Sequence, residues 1–547
     1  MRGAEAATRA LVVGLLVASC ETVEVADGCR QDSECPSGQA CWVATCAPRA
    51  LPQSFSVVVV PDGKAGAART ELVAHAFGSG LTVVPLARPV ALQGTVESLR
   101  TAPFAQAGAG ELSVVVTLPS LVPGLAPVET LATATLPGPG GVASFSLKLP
   151  ANRLNEPASF AVRPKGALEQ VVPPVFQDIA LIPDVPIKVS LPGAAEQRII
   201  EGLVNDAFDQ PASGYGIQVM SQGRPISTRG IVGEEGRFRL SVLAPEGAPG
   251  TLELFPPLGA ARPRMSLPLS STLSDLGTLR LPAHPAAEVV RVPVGWVDPV
   301  GAFVPVVGAF VRFRTVLAAN LPSASAAYVQ EVQTGHTGLA ELPLIGGALE
   351  GVRPYDVEVR SPPDSAGASR CLRRFPVGAL SSGQVVPTTA NLVLPRRPGL
   401  AGTLQAQGTK APVARAVVTA LRTGPLPGSV DCSSVAERGV FSTSTDRAGL
   451  FNLRVEEGLY LLEVRPPGGQ ALPLWQVPGL AVTNQGLETT VLVPEGHVLD
   501  GSLVGPDGLP CPACRVELYE ASADGTRLRA EAVSDPQGGF RVVVPAR

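Results

Sequence analysis

Apolar and polar residues alternate along short segments of this chain, and many of these segments end at proline. LYLLEVRPP (Leu459 to Pro467), YDVEVRSPP (Tyr355 to Pro363) and TLELFPP (Thr251 to Pro257) show the pattern most clearly. A period of two places one face of a strand in a core and the other in water. The terminal prolines cannot extend a hydrogen-bonded ladder, so they stop each strand.

A longer phrase repeats around these strands. A glycine enters a strand in LQGTV (Gly94), IEGLV (Gly202), PVGWV (Gly295), LAGTL (Gly402) and LDGSL (Gly501), at intervals between 93 and 108 residues. One Ig-like sandwich needs about 100 residues, so the spacing predicts five modules. Further on, Asp446, Gly449 and Phe451 match Asp535, Gly538 and Phe540, and Gly233, Gly236 and Phe238 nearly match both. The spelling describes a tight turn in which aspartate caps its own backbone, glycine accepts positive φ and the aromatic residue enters the core. The predicted fold is all-β, a tandem array of Ig-like or prealbumin-like β-sandwich modules after a signal peptide and a small disulfide-rich segment.

The boundaries follow from the repeat. They are a signal segment over 1–19, a cysteine-rich segment over 20–50, and modules over 51–196, 197–286, 287–397, 398–496 and 497–547. The modules over 51–196 and 287–397 fit loosely, because Gly141 and Gly338 are followed by Val142-Ala143 and Leu339-Ala340 where the aromatic should stand. The last module has about half a repeat. An incomplete sandwich exposes an edge, so it is expected to pack on the fourth module or to take a strand from elsewhere.

The N-terminus carries an address. Arg2 and Arg9 bracket a cationic start, and Ala10 to Ala18 is apolar, uncharged and too short to span a bilayer. Val17-Ala18-Ser19-Cys20 at its end resembles the lipobox of bacterial lipoproteins, which implies cleavage before Cys20, lipid on its thiol and attachment to the cell envelope. Glu21 replaces the aspartate that resembles an inner-membrane retention signal, which points to the outer membrane. The apolar stretch Val289 to Phe313 is broken by Arg291, Pro293, Asp298, Pro299 and Pro305 and is no membrane helix.

Composition narrows the partners. The 58 Gly and 55 Pro among 547 residues, with 45% hydrophobic residues, read as turn punctuation in folded modules. A formal net charge of −4 without a dense Lys/Arg run excludes nucleic acid as the expected partner. Only 4% of residues are aromatic, which argues against many sugar- or base-stacking sites.

Cys29, Cys35, Cys41 and Cys46 crowd an exported segment with little to bury, which predicts a disulfide knot of undetermined pairing; zinc is the alternative. Cys511 and Cys514 form CPAC just before a strand, read as a local disulfide in preference to a redox pair or half a zinc site. Cys371 and Cys432 are either buried singly or paired with each other.

The glycine-strand-turn-aromatic phrase resembles the carboxypeptidase regulatory-like domains and their prealbumin-like and Cna protein B-type relatives. The resemblance implies non-catalytic seven-stranded sandwiches that serve as spacers, adhesive units or carbohydrate-contacting modules. Some Cna protein B-type sandwiches hold a Lys-Asn cross-link, but lysine occurs only at Lys64, Lys148, Lys165, Lys188 and Lys410, which leaves the second, third and fifth modules without one.

Catalytic patterns are missing from the sequence. His75, His284, His336 and His497 form no zinc motif, and no nucleophile elbow, phosphate loop or dinucleotide fingerprint occurs. Paired carboxylates, Glu456 with Glu457 and Glu234 with Glu235, read as solvated charge in hairpin turns. No cofactor, metal or catalytic residue is expected. The expected function is a lipid-tethered stalk that contacts an envelope or surface protein. The alternative is a carbohydrate-binding surface protein, for which Trp296 and Trp475 are the module tryptophans.

Overall fold

The computed structural model describes residues 28–62, 67–98, 110–137, 141–183, 185–191, 197–243, 250–270, 274–319, 321, 323–347, 352–380, 392–428, 439–522 and 525–546. They form an all-β array of Ig-like sandwiches. The fourth module shows the plan. Its strands, lettered A to G, are Gly399–Ala406, Val417–Gly424, Val440–Ser444, Leu450–Arg454, Gly458–Arg465, Trp475–Val482 and Leu487–Val493. One sheet has the order C-B-E-F, and the other has D-A-G with A and G parallel. Leu400, Leu404, Val418, Phe451, Tyr460 and Leu462 fill the space between them, each side chain contributing on the order of 2 kcal/mol by burial.

The repeated phrase has a physical basis in this plan. Gly402 on strand A lies in register with Phe451 on strand D, and a Cβ there would collide with the phenyl ring and the Thr489 carbonyl. The ring covers the glycine and closes the narrower sheet. Gly94 with Phe145, Gly202 with Phe238 and Gly501 with Phe540 repeat the pair. At Gly295 the ring is Phe303, from the short strand Phe303–Pro305. The two loosely matching modules therefore do supply the aromatic, from positions other than the one the turn predicts. The turn itself is as expected: Asp446 Oδ1 accepts the N–H groups of Ala448 (2.8 Å) and Leu450 (2.9 Å), and Gly449 has φ +73°.

The ends of the chain require a correction. Residues 53–85 do not join the first module, as the boundary 51–196 assumed. Strand Gln53–Val60 pairs with Arg515–Ser522, Thr70–Phe77 pairs with Gln53–Val60, and Thr82–Pro85 runs parallel to Gly496–Val504. The resulting sheets are Gly525–Val533, Arg515–Ser522, Gln53–Val60, Thr70–Phe77 and Gly539–Pro545, Gly496–Val504, Thr82–Pro85. These are the orders C-B-E-F and D-A-G again. The C-terminal half provides strands A to D and the N-terminal segment provides E, F and G. Phe55, Val57, Val59, Phe77 and Val84 share one core with Leu499, Leu503, Val516, Leu518 and Phe540. The first module proper begins at strand Pro89–Ser98 and ends at Ile187–Leu191.

Described segments 53–62, 67–85, 496–522 and 525–545 thus share one sandwich, and contacts link all five modules into a closed circuit. At most junctions strand F of one module approaches strand C of the next or the loop before it, and at the third–fourth junction the partner is the loop between strands D and E. Between the first and second modules Arg224 stacks on Phe176, 5.4 Å from the ring centre. Arg264 to Ser266 pair with Ser325 to Ala327, which fuses the second and third modules into one nine-stranded sheet. Between the third and fourth, Glu456 accepts from Ser369 N (2.9 Å) and Arg397 Nη2 (3.0 Å). Arg529 of the closing module lies 4.9 Å over Trp475 of the fourth. Glu71 of the closing module accepts from Ser120 Oγ (3.1 Å) and Leu121 N (2.7 Å) of the first. The expected end-to-end stalk is replaced by an array that returns to its starting point.

Candidate functional site at the closure of the array

The segment that precedes strand Gln53–Val60 forms a knot. Cys29 is bonded to Cys41 and Cys35 to Cys46, around the hairpin Gln39–Trp42 and Thr45–Pro48. Its apolar contribution is small, with Ala40 and Ala47 packed on Val498, so the staples supply the order a core would otherwise give. Sequence left three pairings open, and the structure has the first cysteine bonded to the third and the second to the fourth.

Four charged side chains dock this knot on the closing sandwich. Asp32 receives Arg541 Nη1 at 3.0 Å and Nη2 at 2.8 Å, a bidentate pair. Arg541 Nε also donates to Asp500 Oδ1, while Arg49 donates to Asp500 Oδ2 (2.6 Å) and to Asp32 Oδ2 (2.5 Å). The hydrogen bond from Arg541, helped by the N–H of Cys41 and the charge of Arg49, holds the Asp32 carboxyl below the usual aspartate range against the effect of burial. Backbone contacts reinforce the dock: Ala50 N donates to Val498 O (2.8 Å) and Arg541 Nη1 to Cys41 O (2.8 Å). Trp42 Nε1 reaches Gln470 O of the fourth module at 3.2 Å. Nothing in the sequence marks this dock, because Asp32 with Arg541 and Arg49 with Asp500 join residues 509 and 451 positions apart.

The other residues singled out from sequence fall in separate places. Cys20 lies outside the described residues, as do Cys432 and Lys64. Cys511 is bonded to Cys514, and both are buried in the closing core. Cys371 is also disulfide-bonded. His497 is half-buried on strand Gly496–Val504, and its neighbour Asp500 serves the Arg49 and Arg541 contacts. Among the described residues the only group of three or more potential ligands close enough to hold a metal is Cys29, Cys35 and Cys46, whose sulfurs are in disulfides. The described lysines are exposed, and Lys165 and Lys188 pair with Glu111 and Glu97.

Two expectations change. Glu456 is not solvated turn charge, because its partner Arg397 is 2% exposed and also donates to the carbonyls of Ser365 (2.9 Å) and Ser361 (3.2 Å). Trp475 offers no open sugar platform, since Arg529 covers it and its edge packs on the fourth core. Trp296 packs on the core shared by the second and third modules. A cleft of about 550 Å³ opens between the first and second modules, lined by Glu169, Arg229, Ile231, Phe255 and Leu258 among others.

The fold defines the class as a multi-module Ig-like β-sandwich protein. No family model matches the chain, and no curated protein does. Solved structures give distant likenesses. The Bacillus anthracis TIE protein is 12% identical, with 74% of this chain and 75% of that one covered and a TM-score of 0.17. The streptococcal ancillary pilin is 10% identical over 74% and 99% of the two chains, with a TM-score of 0.17. The shaft pilin SpaA from Lactobacillus rhamnosus GG is 13% identical over 38% and 97%, with a TM-score of 0.19. At these scores the resemblance carries no functional weight.

Proposed function

We propose that this chain is a non-catalytic structural lipoprotein of the cell envelope, held at a membrane through lipid on Cys20 and acting through protein contact or adhesion. The closure carries the reading: the knot that begins at Cys29, nine residues after Cys20, is clamped to the sandwich in which both halves of the chain meet. A tether placed there pulls on a knot stapled by two disulfides. All described modules share one spacer-like plan, and their best-buried charges serve junctions between modules. The outer membrane is the proposed location, and the partner is an envelope or surface protein. A carbohydrate ligand is the less favoured reading, because Trp42, Trp296 and Trp475 are each engaged within the fold.

The test is acylation. Mass spectrometry of the mature N-terminal peptide should find a diacylglyceryl-modified Cys20, and Cys20→Ala should move the protein from the membrane to the soluble fraction. An unmodified mature terminus, or a Cys20→Ala protein that stays membrane-bound, would refute the anchor.

A further inference from the structure

The closing sandwich has a seam. Residues 28–86 lie on one side and 496–546 on the other, with four complete modules between them along the chain. The disulfides Cys29–Cys41 and Cys35–Cys46 belong to the first side and Cys511–Cys514 to the second. What crosses the seam is strand pairing, Ser56 to Val60 against Tyr519 to Arg515 and Thr82 to Pro85 against Gly501 to Val504, with the shared core and the Asp32, Arg49, Asp500, Arg541 contacts. Once separated, strands A and B would present an unpaired edge and an uncovered apolar face, and strands E and G the complements. Edges of that kind recruit a strand.

Nothing in these contacts requires both halves to come from one chain. We propose that the seam also joins two copies of this protein, the C-terminal half of one taking strands E, F and G from the N-terminal segment of the other. Exchange of an identical element keeps the contacts across the seam and alters the connection to the neighbouring module, so the balance between closure within a chain and exchange between chains depends on effective concentration. The contact is heterologous: each exchanged copy still offers the half it has not used. Two copies close a dimer and more propagate. Membrane anchoring would favour exchange by holding all seams at one height above the bilayer, and this point alone rests on the proposed lipid at Cys20.

Val60 and Arg515 face each other across the seam. Full-length copies with Val60→Cys and one tag are co-expressed with copies carrying Arg515→Cys and a second tag, and the doubly substituted chain serves as the control. The expected result is a reducible heterodimer bearing both tags, joined through residues 60 and 515 by peptide mapping, beside an intrachain bond in the control. An intrachain bond in the control with no heterodimer from the mixed copies would overturn exchange, and a control that forms no bond would remove the seam itself. Fractionation of the same samples keeps the anchor separate. A heterodimer in the soluble fraction upholds exchange and counts against lipidation, whereas membrane-bound protein without heterodimer does the reverse.

Discussion

At the scale of single residues, the fold depends on pairs that hold opposite requirements together. Gly402 must lack a side chain because Phe451 and the Thr489 carbonyl occupy its outer space. Gly402→Ala should therefore destabilise the fourth module by about 1–3 kcal/mol, the usual cost of overpacking. Calorimetry of the full chain should show one transition shifted downward and the others in place; an unshifted thermogram would contradict the pair. Asp32 gives a pH test. Its folded pKa is lowered, so its contribution is fully present above the unfolded value near 4 and is lost as pH falls through the lowered value. The stability gap between wild type and Asp32→Asn should accordingly close in acid. A gap that stays constant down to about pH 2 would show that the carboxylate does not hold the knot.

At the scale of elements, strand Gln53–Val60 is the informative case. Phe55 is 2% exposed in a core built largely from residues 499–544. Phe55→Ala should cost about 3–5 kcal/mol and should loosen amide protection over Arg515–Val533, while strands of the fourth module keep theirs. Equal protection of Arg515–Val533 in both proteins would sever the proposed link. The segment's apolar run ending at Pro61 has the features of a strand. Its partner was not legible, because strand order within a repeat reads locally and a strand that completes a module more than 400 residues away has no local signature. The disulfide knot was visible for the converse reason: four cysteines in 18 residues state their own constraint. The missing aromatics beside Gly141 and Gly338 misled because Phe145 and Phe303 reach the same glycine-covering place from other positions. Glu456 misled because a turn carboxylate looks solvated until Arg397 of the preceding linker is placed against it.

At the scale of the whole molecule, a linear repeat array has two exposed faces, and here the strands within 53–85 and 496–545 are two halves of a sandwich that complete each other. This removes the two terminal edges that a linear stack would leave for aggregation. It also puts the knot, and with it the segment that follows Cys20, against the C-terminal half of the chain. Closure, more than any single pocket, is what distinguishes this protein from an open chain of sandwiches. The direct measurement is a distance. Ser54 and Ala521 are exposed positions just beyond the paired residues Ser56 and Tyr519. Spin labels at Ser54→Cys and Ala521→Cys in dilute full-length protein should report a separation of roughly 10–20 Å, that of neighbouring strands plus the label arms. A separation on the order of 100 Å, as four intervening modules laid end to end would give, would contradict the closed array.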